Sequence, residues 1–386
     1  MSDLVSVGVL MKVFPAEVVD SVIAECGRTE QRRRSLPARS MAYFAMGMAL
    51  HSDGSYEDVL ALISDGLAWA ERGDGSPRLA NKAAISHARD RLGPEPMASL
   101  FGREARPLAA EGTPGCWLAG RRLVAIDGTC LDLADTPAND AFFGRPGVMK
   151  GERSAFPQAR VVALAECGTH AMFDAEVGPY TTSENALARE LVTRLAPGML
   201  CLADRGFYSF EAWQRAAGTG ADLLWRVKDN LGLEPVADLP DGSWLAEVFH
   251  STKDRKRQQP TTVRVIEYTI DDGRAPAGPF RLVTTILDPA EASATELAAA
   301  YHQRWEIETA FDELKTHQRG PRAVLRSKSP GLVQQEIWGH LCCHYAIRAL
   351  MFEAAAHAGR DPDRVSFVAA LRISRRSIAQ QGAFPP

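Results

Sequence analysis

Between residues 121 and 318, short apolar runs typical of strands alternate with longer segments of helical periodicity. The runs before Asp127, in MLCLAD and in ADLLWR predict three strands, and ARVVALAECG with THAMFDAEVG predicts a hairpin around Gly168. The segment TSENALARELVTRLAPG, with a Ser/Thr start and a Gly end, predicts a helix. We therefore expect an α/β fold in which one mixed sheet is flanked by helices.

Changes in sequence character predict four regions. Residues 1–115 show helical spacing and are expected to form a helical N-terminal domain. Residues 116–230 and 291–386 are expected to form the two parts of the core, the second with one long helix over about 293–318. Residues 231–290 combine Pro, Gly and Asp turns with short alternating runs, which predicts a β-rich insertion.

The composition is that of a globular protein, with 46% hydrophobic and 24% charged residues in 386. No apolar run reaches the length of a membrane span, so we expect no membrane partner. The 7 cysteines include no CxxC pair, which fits a reducing compartment. These features predict a cytoplasmic protein.

The net charge of −4 argues, at face value, against a nucleic-acid partner. The charge is unevenly distributed, however. Residues 301–386 hold 12 Lys and Arg against 8 Asp and Glu, a balance of +4 that leaves −8 for the first 300 residues. Three basic clusters predict local anion-binding surfaces: Arg28, Arg32, Arg33, Arg34 and Arg39; Lys253, Arg255, Lys256 and Arg257; and Lys315, Arg319, Arg322, Arg326 and Lys328.

Two aspartates follow apolar runs that predict neighbouring strands. Asp127 lies in AIDGT, where Asp-Gly predicts the end of the strand, and Asp204 lies in LADRGFY. Ligand sites in open α/β sheets form at strand ends, so the two carboxylates are expected to face one pocket.

The predicted long helix carries a polar stripe beside its apolar face. Tyr301, Arg304, Glu308 and Lys315 fall within about 60° of one another at 3.6 residues per turn. Asp312 lies on nearly the same stripe, so spacing alone does not choose between Glu308 and Asp312. A third carboxylate from this helix would complete an all-oxygen site of the kind that binds Mg²⁺ or Mn²⁺.

Together these motifs resemble the signature of bacterial insertion-sequence DDE transposases of the insertion-element-four family. The resemblance rests on AIDGT, on LADRGFY and on the pattern Tyr301-x2-Arg304-x3-Glu308-x6-Lys315. The segments AECGRTEQRRRSLPARS, DTPANDAFFGRPG and FPQARVVAL are also similar to that family, so the resemblance covers most of the chain.

The resemblance implies a ribonuclease H-like catalytic core interrupted by the β-rich insertion. It assigns Asp127, Asp204 and Glu308 as catalytic metal ligands for two Mg²⁺ or Mn²⁺ ions, and it selects Glu308 over Asp312. It implies that Tyr301, Arg304 and Lys315 contact the DNA backbone.

The implied reaction is hydrolysis at the ends of a mobile element, followed by attack of the freed 3′-hydroxyl on target DNA. The implied partners are double-stranded DNA, as terminal inverted repeats and target, and a second copy of the chain in a synaptic homodimer associated with the nucleoid. Some relatives flip a base onto a tryptophan, and the sequence leaves three candidates open: Trp225, Trp244 and Trp305.

The main alternative is a catalytically inactive DNA-binding protein derived from a transposase. Related chains generally continue into a basic tail, whereas this sequence stops at Pro386, which raises the expectation of truncation. A zinc site at His340, Cys342, Cys343 and His344 is explained more simply by an apolar helix face. A phosphatase loop would need an aspartate at position 125, where the chain has Ala125.

Overall fold

The computed structural model describes residues 4–32, 35–70, 80–147, 154–250, 260–269, 280–320 and 324–375. Thirteen helices lie in these ranges: α1 (Leu4–Val13), α2 (Ala16–Glu25), α3 (Ala38–Leu50), α4 (Tyr56–Ala70), α5 (Lys82–Leu92), α6 (Glu95–Glu104), α7 (Pro137–Phe143), α8 (Glu184–Leu191), α9 (Phe210–Ala217), α10 (Ala294–His302), α11 (Trp305–Asp312), α12 (Pro330–His357) and α13 (Phe367–Arg375).

One mixed sheet holds the eleven strands of the described ranges: β1 (Trp117–Leu118), β2 (Arg121–Leu133), β3 (Gln158–Glu166), β4 (Met172–Pro179), β5 (Met199–Ala203), β6 (Asp222–Arg226), β7 (Pro235–Asp238), β8 (Trp244–Val248), β9 (Thr261–Tyr268), β10 (Phe280–Thr284) and β11 (Val324–Leu325). The strand order is β4-β3-β2-β5-β6-β10-β9-β8-β7, with β1 and β11 both paired to β2. Strands β2, β5 and β6 are parallel, whereas the β2–β3 and β3–β4 pairs are antiparallel. This arrangement confirms the expected mixed, ribonuclease H-like sheet flanked by helices.

The N-terminal helices pack against the long C-terminal helix α12. A Cβ at Gly339 of α12 would lie 2.5 Å from the backbone oxygen of Ala45, so the missing side chain permits close approach of α12 and α3. Arg89 of α5 is fully buried, and its Nε donates a 2.8 Å hydrogen bond to Gln335 of α12. The described residues between 4 and 104 are therefore mainly helical as expected, and they pack on the core through α12.

Strand β2 is longer than the Asp-Gly sequence predicts. It continues through Asp127 and Gly128 to Leu133 because β3 keeps pairing with it antiparallel as far as Asp132. The prediction that the strand ends at Asp127 was therefore wrong. What ends there is the parallel pairing with β5, whose last residue, Ala203, lies opposite Ile126. Among the described strands, none pairs with that side of β2 between Asp127 and Leu131, and β11 pairs with it from Asp132.

The strands between residues 231 and 290 extend the central sheet. Strand β10 pairs antiparallel with β6, and β9, β8 and β7 follow outward in order. Residues 251–259 and 270–279 lie outside the described residues, and with them lies the basic cluster Lys253–Arg257.

The long helix predicted over 293–318 is divided into three pieces. It starts as expected at Ser293, whose side chain forms a reciprocal capping box with Glu296. Helix α10 ends at His302, α11 begins at Trp305, and residues Glu313–Gln318 form a π-helical segment. The prediction of one continuous helix was wrong, because local spacing does not show where tertiary contacts interrupt the hydrogen-bond ladder.

Candidate active site

The sheet register places the two aspartates side by side. Ile126 and Ala203 are partners in the parallel β2–β5 pair, and Asp127 and Asp204 are the residues that follow them. The Asp127 side chain is 20% exposed and the Asp204 side chain 36% exposed, so both remain open to a ligand.

Arg304 connects Asp127 with Glu308. Its Nη1 donates to Asp127 Oδ2 at 3.2 Å, and its Nη2 donates to Glu308 Oε1 at 3.1 Å. The Arg304 side chain is only 6% exposed, and its guanidinium lies 4.6 Å from the centre of the Trp305 ring. The Arg304–Glu308 pair therefore joins a buried guanidinium to a carboxylate that remains 44% exposed at the mouth of the site.

The pKa of Asp127 reflects the charged groups around it. Burial raises the pKa of Asp127, and the negative charges of Glu308 and Asp204 raise it further. The Gly128 N–H, which donates to Asp127 Oδ1 at 2.8 Å, and the Arg304 guanidinium act in the opposite direction on this pKa. Added positive charge would relieve the repulsion among these groups.

Lys315 and Tyr301 both lie next to this site. Lys315 Nζ donates to Thr129 Oγ1 at 3.1 Å, and Thr129 shares a face of β2 with Asp127 because side chains alternate along a strand. Tyr301 is only 3% exposed, and its hydroxyl donates to the Ala203 carbonyl oxygen at 3.4 Å, one residue before Asp204. The polar stripe predicted from spacing is thus brought to the two aspartates.

Two other acidic residues of this helical region, Asp312 and Glu306, bond away from Asp127. Asp312 accepts a 2.6 Å hydrogen bond from Thr316 and lies 3.7 Å from His317. Glu306 accepts from the Gly168 N–H of the β3–β4 turn. The geometry therefore favours Glu308 over Asp312 as the acidic partner of Asp127.

The chemistry of Asp127, Asp204 and Glu308 fits a hard divalent cation. Their donors are all carboxylate oxygens, and the Arg304 guanidinium already supplies positive charge between two of them. No three His, Cys, Asp or Glu side chains within the described residues form a ready-made metal cage. The donor set is therefore suitable, with Arg304 balancing the negative charge in this conformation.

Two charged residues that the sequence analysis did not assign also lie at the site. Arg226 of β6 lies 4.0 Å from Asp204 and stacks 4.1 Å from the Phe280 ring centre. Glu184, the first residue of α8, lies against Gly128, where a Cβ would overlap Glu184 Oε1. Neither belongs to a recognisable local motif, because each reaches the site through sheet order or helix packing.

The three tryptophans differ in accessibility. Trp225 is fully buried against Trp213, and Trp244 is half-buried, with its indole N–H bonded to the Leu233 carbonyl oxygen at 3.0 Å. Trp305 is 52% exposed and adjoins Arg304. Trp305 is thus the one of these three with a ring available at the site surface.

The basic clusters are partly used inside the fold. Arg319 is buried, and Arg326 donates to the carbonyl oxygens of Gly54 and Met48, so the expectation of an anion-binding surface was wrong for both. Arg28 pairs with Glu95 at 3.1 Å, and Arg39 pairs with Asp20. Residues 33, 34 and 322 lie outside the described residues. A cluster of basic residues in the sequence does not reveal which of their side chains donate hydrogen bonds to backbone carbonyl oxygens inside the fold.

The residues considered for zinc are part of a buried helix face. His344 Nε2 lies 3.1 Å from Glu313, and the Cys342 thiol faces the Met97 carbonyl oxygen. Burial lowers the pKa of His340 to about 3. These contacts use the side chains within the protein core. In the same described part of the chain, no helix combines the length and apolarity needed to cross a bilayer.

Comparisons with known proteins identify the family to which the chain is similar. Residues 4–102 match the family model described as "Insertion element 4 transposase N-terminal", and residues 118–346 match "Transposase DDE domain". The match to the second family covers Asp127, Asp204, Glu308 and their neighbours.

Two curated relatives from Escherichia coli (strain K12) are similar to this chain. The transposase InsG for insertion sequence element IS4 is 30% identical over 380 residues, which cover 96% of this chain and 82% of the relative. The putative transposase InsZ is 26% identical over 212 residues, which cover 55% of this chain and 68% of the relative. A solved structure of a piggyBac transposase synaptic complex with hairpin DNA aligns at 12% identity and a TM-score of 0.48, covering 98% of this chain and 82% of that one.

Proposed function

Because the chain belongs to the insertion element 4 family of DDE transposases and is an enzyme that transposes DNA, we propose that Asp127, Asp204 and Glu308 form its catalytic site. One observation carries this assignment. The Arg304 guanidinium joins Asp127 to Glu308 next to the end of β5, which Asp204 directly follows. An inactive DNA-binding protein would have no need to retain all three carboxylates at one position.

Divalent metal use is general to DDE transposases, and Mg²⁺ or Mn²⁺, as two ions, fits the oxygen donors proposed here. When bound, such ions would activate the attacking hydroxyl group and stabilise the leaving oxygen during phosphodiester displacement. In the proposed reaction the enzyme first hydrolyses the DNA at the element ends and then joins the freed 3′-hydroxyl to target DNA. Asp127, Asp204 and Glu308 would hold the ions.

The chain's own cations would position the DNA. Lys315 is exposed beside Thr129, so its ammonium can reach a phosphate on the Asp127 side of β2. Arg304 would share its guanidinium between the carboxylates and a phosphate oxygen near the scissile bond. Tyr301 would have to release the Ala203 carbonyl oxygen to contact the backbone, and in the present conformation its hydroxyl lies next to Asp204.

The proposed DNA partners are the terminal inverted repeats of the element and a target duplex. We extend the proposal to a homodimer that brings two ends together, and to a location in the cytoplasm with the nucleoid. The N-terminal helices, within the proposed region 1–115, would bind the ends, since they lie on the same α12 scaffold as the catalytic segment.

The proposal is tested with DNA ending in the inverted repeats that flank the gene. With Mg²⁺ or Mn²⁺, wild type should cut at the repeat ends and join the products to a second duplex. The variants Asp127→Asn and Asp204→Ala should retain binding but lose cleavage. Equal products from wild type and Asp204→Ala would refute the catalytic assignment, and binding without cutting by wild type would establish the inactive alternative.

A further inference from the structure

A fourth carboxylate approaches the proposed site from the opposite side of the sheet. Glu184 begins α8, which Ser183 caps through a hydrogen bond to the Ala186 N–H. Its Oε1 occupies the space where a side chain at Gly128 would begin. Gly128 faces away from the Asp127 side because neighbouring residues of a strand point to opposite faces.

The unpaired edge of β2 at Asp127 and Gly128 explains how Glu184 can bind a cation together with Asp127, although neighbouring side chains of the strand point to opposite faces. Strand β5 ends at Ala203, opposite Ile126, so no strand in the described part of the chain pairs with that edge of β2 at Asp127 and Gly128. Asp127 Oδ1 accepts the Gly128 N–H at 2.8 Å, and Glu184 Oε1 occupies the position of a Cβ on the same glycine, so the two carboxylates flank one residue. Burial raises the pKa of Glu184, and the negative charges of Asp127 and Asp204 act in the same direction.

Glu184 has no partner that neutralises it directly. Among the described residues, no ion pair or hydrogen bond to its carboxylate is present, although the side chain is half-buried. Arg160 influences it electrostatically, but the Arg160 guanidinium lies over the Tyr180 ring and donates to the Tyr180 carbonyl oxygen at 3.4 Å. Asp127 and Glu308, by contrast, share the Arg304 guanidinium.

We propose that Glu184 is a fourth acidic residue of the catalytic metal site, binding the hydrated divalent cation together with Asp127 from the α8 face. The inference rests on the proposed function, because it requires a cation at Asp127. The proposed role of Glu184 also explains why Gly128 follows Asp127, because any side chain at position 128 would displace the Glu184 carboxylate.

Mn²⁺ binding to the full-length chain tests this inference without relying on activity. Loss of the free Mn²⁺ signal in electron paramagnetic resonance gives the affinity for wild type, Glu184→Gln, Glu190→Gln and Asp127→Asn. We expect Glu184→Gln to weaken binding by about 10- to 100-fold, the usual range for residues that support a metal ligand. Glu190 is exposed on the same helix, so Glu190→Gln should match wild type.

The outcomes separate this inference from the proposed function. No binding by wild type, or unchanged binding by Asp127→Asn, would overturn the metal site itself. Weakened binding by Asp127→Asn with unchanged binding by Glu184→Gln would overturn the role of Glu184 alone.

A double-mutant cycle keeps the inference testable if Glu184→Gln folds poorly. Gly128→Ala should weaken Mn²⁺ binding in wild type, because its methyl group displaces the Glu184 carboxylate. In a Glu184→Ala background, the same change should alter the affinity by no more than about twofold, the scatter expected for uncoupled sites. Equal effects in both backgrounds would contradict the proposal.

Discussion

Ile126 of β2 lies directly opposite Ala203 of β5 in a parallel pair, and an aspartate follows each of them. This register brings Asp127 and Asp204 together although 77 positions separate them (204 − 127). Arg304 then ties Glu308 to Asp127, so one strand pair and one helix supply all three carboxylates.

Removing Arg304 should increase the affinity of the site for divalent metal, and with it the stabilisation of the fold by that metal. Without its guanidinium, Asp127 and Glu308 repel each other and attract a cation more strongly. Arg304→Ala should therefore bind Mn²⁺ at least about tenfold more tightly, since one charge at close range changes the interaction by a few kcal/mol. The rise of the unfolding temperature with Mn²⁺ concentration measures this affinity. Arg281→Ala, which removes an arginine paired with Glu267, is the control, and an equal Mn²⁺ response in both variants would count against the prediction.

Lys315 should contribute to DNA affinity through a phosphate contact. Its loss in Lys315→Ala should make the slope of log affinity against log salt less steep by about 0.9, the contribution of one phosphate contact on duplex DNA. Fluorescence anisotropy at several salt concentrations gives the slope. Lys12→Ala is the matched control because Lys12 pairs with Glu353. A slope as steep as that of wild type would remove Lys315 from the phosphate contacts.

Glu313 should be important for stability above mildly acidic pH. Burial alone would raise the pKa of Glu313, but its contacts with Arg348 and His344, with His170 3.9 Å away, hold that pKa well below the usual value. A lowered folded-state pKa stabilises the fold fully above the unfolded-state pKa, and this stabilisation is lost progressively as the pH falls from the unfolded-state pKa through the folded-state pKa.

We expect Glu313→Gln to lower the free energy of unfolding by about 3–5 kcal/mol at pH 7, as for breaking a buried ion pair. The difference from wild type should shrink below about pH 4.5. Urea unfolding across this pH range measures both effects. Glu353→Gln, at the exposed pair with Lys12, should cost less than about 1 kcal/mol. A constant difference at every pH would disprove the linkage.

Replacing two glycines of α12 by alanine should change the stability of the fold in opposite directions. A Cβ at Gly339 would press on the Ala45 backbone of α3, so Gly339→Ala should destabilise by about 1–3 kcal/mol. At Gly331 the nearest atom to a new Cβ is 4.0 Å away, so Gly331→Ala should stabilise by up to about 1 kcal/mol through helix propensity. Chemical denaturation measures both, and a neutral or stabilising effect of Gly339→Ala would show that the α3–α12 approach is not tight.

The sequence was informative wherever chemistry follows local spacing. It predicted the strands before Asp127 and Asp204, and it placed Arg304 and Glu308 one helical turn apart. It could not show that β2 continues past Asp127, because that depends on pairing with β3. Nor could it identify Glu184, whose position depends on how α8 packs over Gly128, or the burial of Arg319.

The most direct test of the central claim compares two acidic residues four positions apart. Both residues are exposed, but Glu308 is joined through Arg304 to Asp127, whereas Asp312 accepts its hydrogen bond from Thr316. Glu308→Gln and Asp312→Asn are assayed with Mn²⁺ on DNA carrying the element ends. We predict that Glu308→Gln abolishes cleavage while it retains binding, and that Asp312→Asn cleaves as wild type does. Cleavage by Glu308→Gln, or its loss only in Asp312→Asn, would contradict the proposed site.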